Sequence, residues 1–149
     1  MSTFRLVADN HQFYLFDDEA CPAYPETITD ADLDTRLISV PNLIAIYTQG
    51  DTGATVDLEL YEDSPQFDAS TWAHVVEAPL SLGSGRIVLA SPSSYLPDCP
   101  RVAVSPGIYR VRVASHPSVN GERERYHVSV WPCEAAPVAV IKSGGHHAA

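Results

Sequence analysis

"GIYRVRVASHPSVNGERERYHVSVW", residues 107–131, decides the fold. Two alternating runs flank a polar turn. In the first, Tyr109, Val111 and Val113 share one side and Arg110 and Arg112 take the other. In the second, Tyr126, Val128 and Val130 share a side. Side chains repeating every second residue belong to a strand with one face on a core. The polar stretch "HPSVNGERE" between the runs is a long turn. If the two strands pair, Arg110 and Arg112 join Arg123 and Arg125 in a basic ridge, which outward Asp57 and Glu59 of a neighbouring strand would neutralise.

The rest of the chain follows the same pattern. "FRLVA" and "QFYLF", separated by "DNH", predict an opening hairpin. "NLIAIYT" (42–48) is apolar almost throughout, as in a strand buried on both faces. "TVDLELY" (55–61) alternates, with Val56, Leu58 and Leu60 inward and Asp57 and Glu59 outward. "HVVEAPLSL" predicts a strand interrupted near Pro79, at an edge or a bulge. "RIVLAS" and "RVAV" continue the series, and "VAVIK" is a final edge strand. A helix is predicted from Asp30 to Leu37, with Thr29 as N-cap and acids in its first turn. A further helical turn starts at Ser70 and carries Trp72. Strands at this spacing, with no strand–helix–strand units, predict an all-β, single-domain antiparallel β-sandwich with one or two short helices. The domain spans residues 1–142, and 143–149 form a flexible tail.

With 149 residues, 45% of them apolar and 19% charged, the chain is large enough for one well-buried core. Its formal charge of −10 is uneven. Residues 1–77 hold fifteen acids and two bases, a balance of −13; residues 78–149 hold four acids and seven bases, +3. Such a field repels nucleic acid and attracts basic partners. The start "MSTFRLVADN" lacks a secretory h-region, and no apolar run approaches membrane-spanning length. Cys21, Cys99 and Cys133 are odd in number and show no C-x-x-C spacing. They are expected as reduced thiols packed as small hydrophobes, in a cytoplasmic protein.

Catalytic and metal motifs fail one by one. Asp30, Asp32 and Asp34 match the first three ligand positions of an EF-hand, but its glycine position is Thr35 and its final glutamate position is Pro41. The six histidines form no zinc spacing. There is no G-x-S-x-G, no phosphate-cradling glycine loop and no carboxylate pair at a defined separation. A non-enzyme without metal or cofactor is the expectation.

What remains is "FDDEACPAYPETITDADLD" (16–34). Asp17, Asp18, Glu19, Glu26, Asp30, Asp32 and Asp34 crowd together with no base among them. Tyr24, Ile28, Leu33 and Leu37 interleave and can anchor the segment. A loop of about twenty residues inside a compact domain is commonly functional. These seven carboxylates are the candidate contact charges for a basic protein, with Trp72 or Tyr24 as an aromatic anchor, although packing is the usual role of so large a ring. A calcium- or carbohydrate-binding sandwich is the alternative.

"HQFYLFD", the acidic helical stretch and "LIAIYT", followed later by "SGRIVLAS" and "RVAVSPGIYRVRV", resemble the competence protein J family over roughly residues 10 to 131. That family comprises small acidic β proteins, and its name-giving member inhibits a nuclease. The resemblance implies a non-enzymatic protein-binding module. Together with the acidic field, the expectation is an inhibitor or immunity protein for a basic partner such as a nuclease or toxin, with no direct contact to nucleic acid or membrane. It carries no single residue's role onto this chain.

Overall fold

The computed structural model describes residues 1–7, 11–19, 28–50, 53–116 and 123–143. Its strands are β1 (Ser2–Leu6), β2 (Gln12–Asp17), β3 (Leu37–Val40), β4 (Leu43–Tyr47), β5 (Ala54–Leu60), β6 (His74–Leu82), β7 (Arg86–Ala90), β8 (Arg101–Ala103), β9 (Gly107–His116), β10 (Glu124–Pro132) and β11 (Ala139–Lys142). One helix, α1 (Asp30–Thr35), precedes β3. The strands form a six-stranded sheet, β1-β5-β10-β9-β6-β11, and a five-stranded sheet, β3-β4-β2-β7-β8. The all-β expectation holds.

The alternation explains the core. Tyr109, Val111 and Val113 of β9 and Tyr126, Val128 and Val130 of β10 all enter one cluster. Phe13, Leu15, Ile44, Ile46, Ile87 and Leu89 meet them from the opposite sheet. The ring of Phe13 stands edge-on to Tyr126, with centroids 5.0 Å apart. The other face of the five-stranded sheet is buried as well, through Tyr14, Phe16, Leu43, Ala45, Tyr47, Val88 and Ala90. "LIAIY" is therefore apolar on both sides because both sides are covered.

Several local expectations need correction. β1 and β2 are not a hairpin: β1 pairs β5 in one sheet and β2 lies between β4 and β7 in the other. The sandwich is mixed rather than purely antiparallel, because β10 and β5 run parallel, Ala54 opposite Glu124. β6 also runs in the direction of β5, since each lies antiparallel to a strand pairing with β10 or is parallel to β10 itself. Two strands of one direction cannot be joined by a tight turn. Residues 61–73 therefore cross the outer face of β10 and β9. Pro79 does not interrupt β6, which is continuous from His74 to Leu82. β11 covers only Val75 to Glu77, so Pro79 occupies a part of β6 with a single neighbour. Leu60 is exposed, not inward.

At the β6–β7 turn, which passes from one sheet to the other, Gly85 has φ of 76°, and a Cβ there would lie 2.9 Å from the Val104 carbonyl oxygen. The two described cysteines are unpaired. Cys99 packs against the outer apolar cluster, whereas Cys133 is exposed rather than packed. Cys21 and most of the expected tail lie outside the described residues. Among those described, no helix is long and apolar enough to cross a membrane.

Candidate protein-binding surface

The acids that open the long loop do not stand free. Asp17, the last residue of β2, has the parity of Phe13 and Leu15 and turns inward. Its carboxylate accepts from the Ser84 amide at 3.0 Å and the Ser84 hydroxyl at 2.5 Å, tying β2 to the β6–β7 turn. Asp18 sits between two arginines, accepting from Arg86 Nε at 2.6 Å and Arg101 Nε at 2.8 Å. Glu19 accepts from Arg86 Nη2 at 2.9 Å. The Arg86 hydrogen bond, then Arg101, outweigh burial and hold the Asp18 carboxyl below the usual carboxylate range. Asp18 and Glu19 are paired with the chain's own arginines and Asp17 is bound by Ser84, a correction to the expectation that all three are contact charges for a partner.

The helical acids divide differently. Thr29 Oγ1 accepts from the Asp32 amide at 3.1 Å and Asp32 Oδ2 from the Thr29 amide at 3.0 Å, a capping box that consumes Asp32. α1 ends where Arg36 enters the left-handed region at φ 61°. Asp30 and Asp34 are exposed and, four residues apart, lie on one helix face. Glu26, like Tyr24, lies outside the described residues. The sequence reading passed over Glu62, Asp63 and Asp68, which the crossover presents as further exposed acids.

The expected arginine ridge does not form. Arg110 and Arg112 point away from the core but are 7% exposed, because the crossover and the chain after β10 cover them. Their countercharge is Glu77 of β6, 3.2 Å from Arg110 Nε and 2.9 Å from Arg112 Nε, not Asp57 or Glu59. The Arg112 guanidinium lies between Phe67 and Trp131, 4.5 and 4.8 Å from their centroids. Arg123 donates to the Leu6 carbonyl, and Arg125 approaches Asp57 at 3.9 Å. Trp72 is half-buried and stacks on His116 with centroids 4.5 Å apart, so much of its ring is committed within the protein.

A buried polar group at one end of the sandwich escaped the sequence reading. Glu124, 2% exposed, accepts from the Gln49 and Gly50 amides at 2.9 and 3.0 Å and from the Tyr126 hydroxyl at 3.2 Å. Burial, then Glu124, push the Tyr126 phenol well above its usual value. His74 Nε2 lies 2.8 Å from the Thr35 carbonyl oxygen. Burial is the main cause that lowers the His74 pKa; the adjacent Arg36 adds to it and the Thr35 bond opposes it. The unfolded imidazole titrates near 6.5. Stability from the neutral ring is therefore complete above that pH and declines as the pH falls from 6.5 toward the lower folded value. The melting temperature is expected to drop between pH 7.5 and 5.5, and His74→Gln to reduce that slope; an unaltered slope would assign the effect to another group.

Among the described residues no three His, Cys, Asp or Glu side chains converge as a metal site. No protein-family model matches the chain, and no curated protein sequence matches it. Solved structures do. The backbone superposes on ComJ, inhibitor of the DNA degrading activity of NucA, from Bacillus subtilis, with a TM-score of 0.73 over 89% of this chain and 96% of that one. The fold is that of ComJ. Sequence identity to ComJ is 16%, so the likeness is one of fold. A second structure, named for crocagin biosynthetic gene J, matches with a TM-score of 0.63 over 88% of this chain and 94% of that one, at 17% identity. The resemblance read from "HQFYLFD" to "IYRVRV" thus holds at the level of the ComJ fold.

Proposed function

We propose that this chain is a small acidic protein-binding module that inhibits a basic partner, a nuclease or nuclease-like toxin, and performs no reaction itself. The observation that carries this reading is the sharing of fold, over 89% of this chain, with an inhibitor of a DNA-degrading activity. The surface chemistry supports it. Asp30 and Asp34 on α1 and the exposed acids of the crossover present negative charge that a phosphate-binding cleft would accept. Asp17, Asp18 and Asp32 contribute by shaping that surface rather than by direct contact. Unpaired Cys99 and Cys133 are compatible with a reducing compartment such as the cytoplasm.

Inhibition itself is the test. Purified cationic nucleases from the source cell are mixed with increasing amounts of the chain, and DNA cleavage is followed. Loss of cleavage that saturates at a fixed stoichiometry for one of them is the expected result. Undiminished cleavage by every one of them at large excess of the chain would end the proposal.

A further inference from the structure

The crossover does not lie flush on the strands beneath it. It leaves an open cleft of about 220 Å³ over the outer face of β9 and β10. Strand register builds the floor. Ser129 of β10 lies opposite Arg112 of β9, and His127 stands two residues away from Ser129 on the same side of β10. Val128 and Val130 enter the core, so His127 and Ser129 project the other way, beneath the crossover. The walls are Tyr61, Pro65, Phe67 and Trp72, with the exposed Asp68 beside them. Ser129 is 2% exposed, yet its hydroxyl meets no hydrogen-bond partner among the described residues. A buried hydroxyl in that state is rare, and each instance calls for a physical reason. Other polar groups of the cleft are committed. Arg112 Nε donates to Glu77 at 2.9 Å, and Nη1 reaches the Pro65 carbonyl at 3.5 Å. Tyr61 donates to Glu59 at 2.5 Å, and Asp68 Oδ1 accepts from the Ser70 amide and hydroxyl.

We propose that this cleft binds one neutral sugar ring, its hydroxyls bonding to Ser129 and the His127 imidazole and its C–H groups lying against the aromatic walls. The volume falls below the roughly 300–1,000 Å³ of sites for larger ligands, which suits a single ring. A serine hydroxyl and an imidazole each offer a donor and an acceptor, and so do the hydroxyls of a sugar. Tyr61, Phe67 and Trp72 supply rigid apolar surface for its faces. Charge opposes an ion of either sign. The Arg112 guanidinium is already spent, so an anion gains no countercharge there and meets Glu62, Asp63 and Asp68 on its approach. A cation on the floor meets Arg112, which shares the single carboxylate of Glu77 with Arg110. The surface is distinct from α1, and the proposal is independent of any inhibitory role.

The methyl glycosides of glucose, galactose and mannose are the probes, titrated into the full chain and followed by nuclear magnetic resonance. At least one is expected to saturate with a Kd of roughly 10 mM or tighter and to shift the signals of Trp72, His127 and Ser129 together. The uronic acid and the 2-amino sugar of the same configuration should each bind several-fold more weakly. Ser129→Ala should weaken the neutral glycoside by about threefold to tenfold at an unchanged melting temperature, since the hydroxyl it removes has no partner in the free protein. Ser129→Leu puts an apolar side chain on the floor and should abolish binding. Three glycosides that leave those signals in place, equal affinity in Ser129→Ala, or a charged analogue binding as tightly as its neutral parent would overturn the assignment.

Discussion

Glu77→Ala is expected to melt about 6–12 °C below the parent chain. Glu77 is the shared countercharge of Arg110 and Arg112, whose side chains are 9% exposed beneath the crossover. Removing one partner of a buried ion group leaves its cations uncompensated, at a cost of about 3–5 kcal/mol. The lower end applies here, because Glu77 keeps some contact with water and the arginines retain carbonyl partners at Ala136 and Pro65 and the faces of Phe67 and Trp131. For a chain of this size, about 3 kcal/mol corresponds to roughly 2–4 °C per kcal/mol. Replacing all three residues, Glu77→Leu with Arg110→Met and Arg112→Met, should recover most of the loss, since apolar groups of similar volume need no compensation. Thermal melts of the single and triple variants decide it. A single variant as stable as the parent would show that the arginines do not depend on Glu77.

Asp30→Lys with Asp34→Lys is expected to slow association with the cognate nuclease at least tenfold at low salt and to flatten its salt dependence. The two carboxylates share an exposed helix face, and exposed charge acts mainly on the encounter rate. The Thr29–Asp32 capping box is untouched, so α1 keeps its start, and reversing Asp30 near the helix N-terminus costs only some tenths of a kcal/mol. Stopped-flow association at two ionic strengths reads the effect. Asp18→Ala is the contrast. It takes one carboxylate from Arg86 and from Arg101 and should lower stability in the neutral range more than it alters the salt slope. Association unchanged by the helix reversal would remove α1 from the contact surface.

Much of the fold was legible in the sequence because the core reads as parity. Tyr109, Val111 and Val113 point inward for the same reason that Tyr126, Val128 and Val130 do. Thr29 and Asp32 announced the helix start by type and spacing. Parity also held a signal that went unread. Asp17, His74 and Glu124 each fall in phase with the inward residues of their strands, which marks them as buried polar groups and not as surface charge. Other features had no local signature. Alternation is the same for parallel and antiparallel neighbours, so nothing in "TVDLELY" gave the direction of β10 beside it. The partners of Asp18 lie 68 and 83 residues further along the chain, so a cluster of acids without bases nearby looked uncompensated.

The parallel neighbours β5 and β10 bring residue 54 beside residue 124. During synthesis, β1 and β5 can form only a two-stranded ribbon until the last third of the polypeptide has left the ribosome, and such a ribbon is marginal in water. The six-stranded sheet is therefore assembled late and slowly, with its apolar face open to chaperones for much of translation.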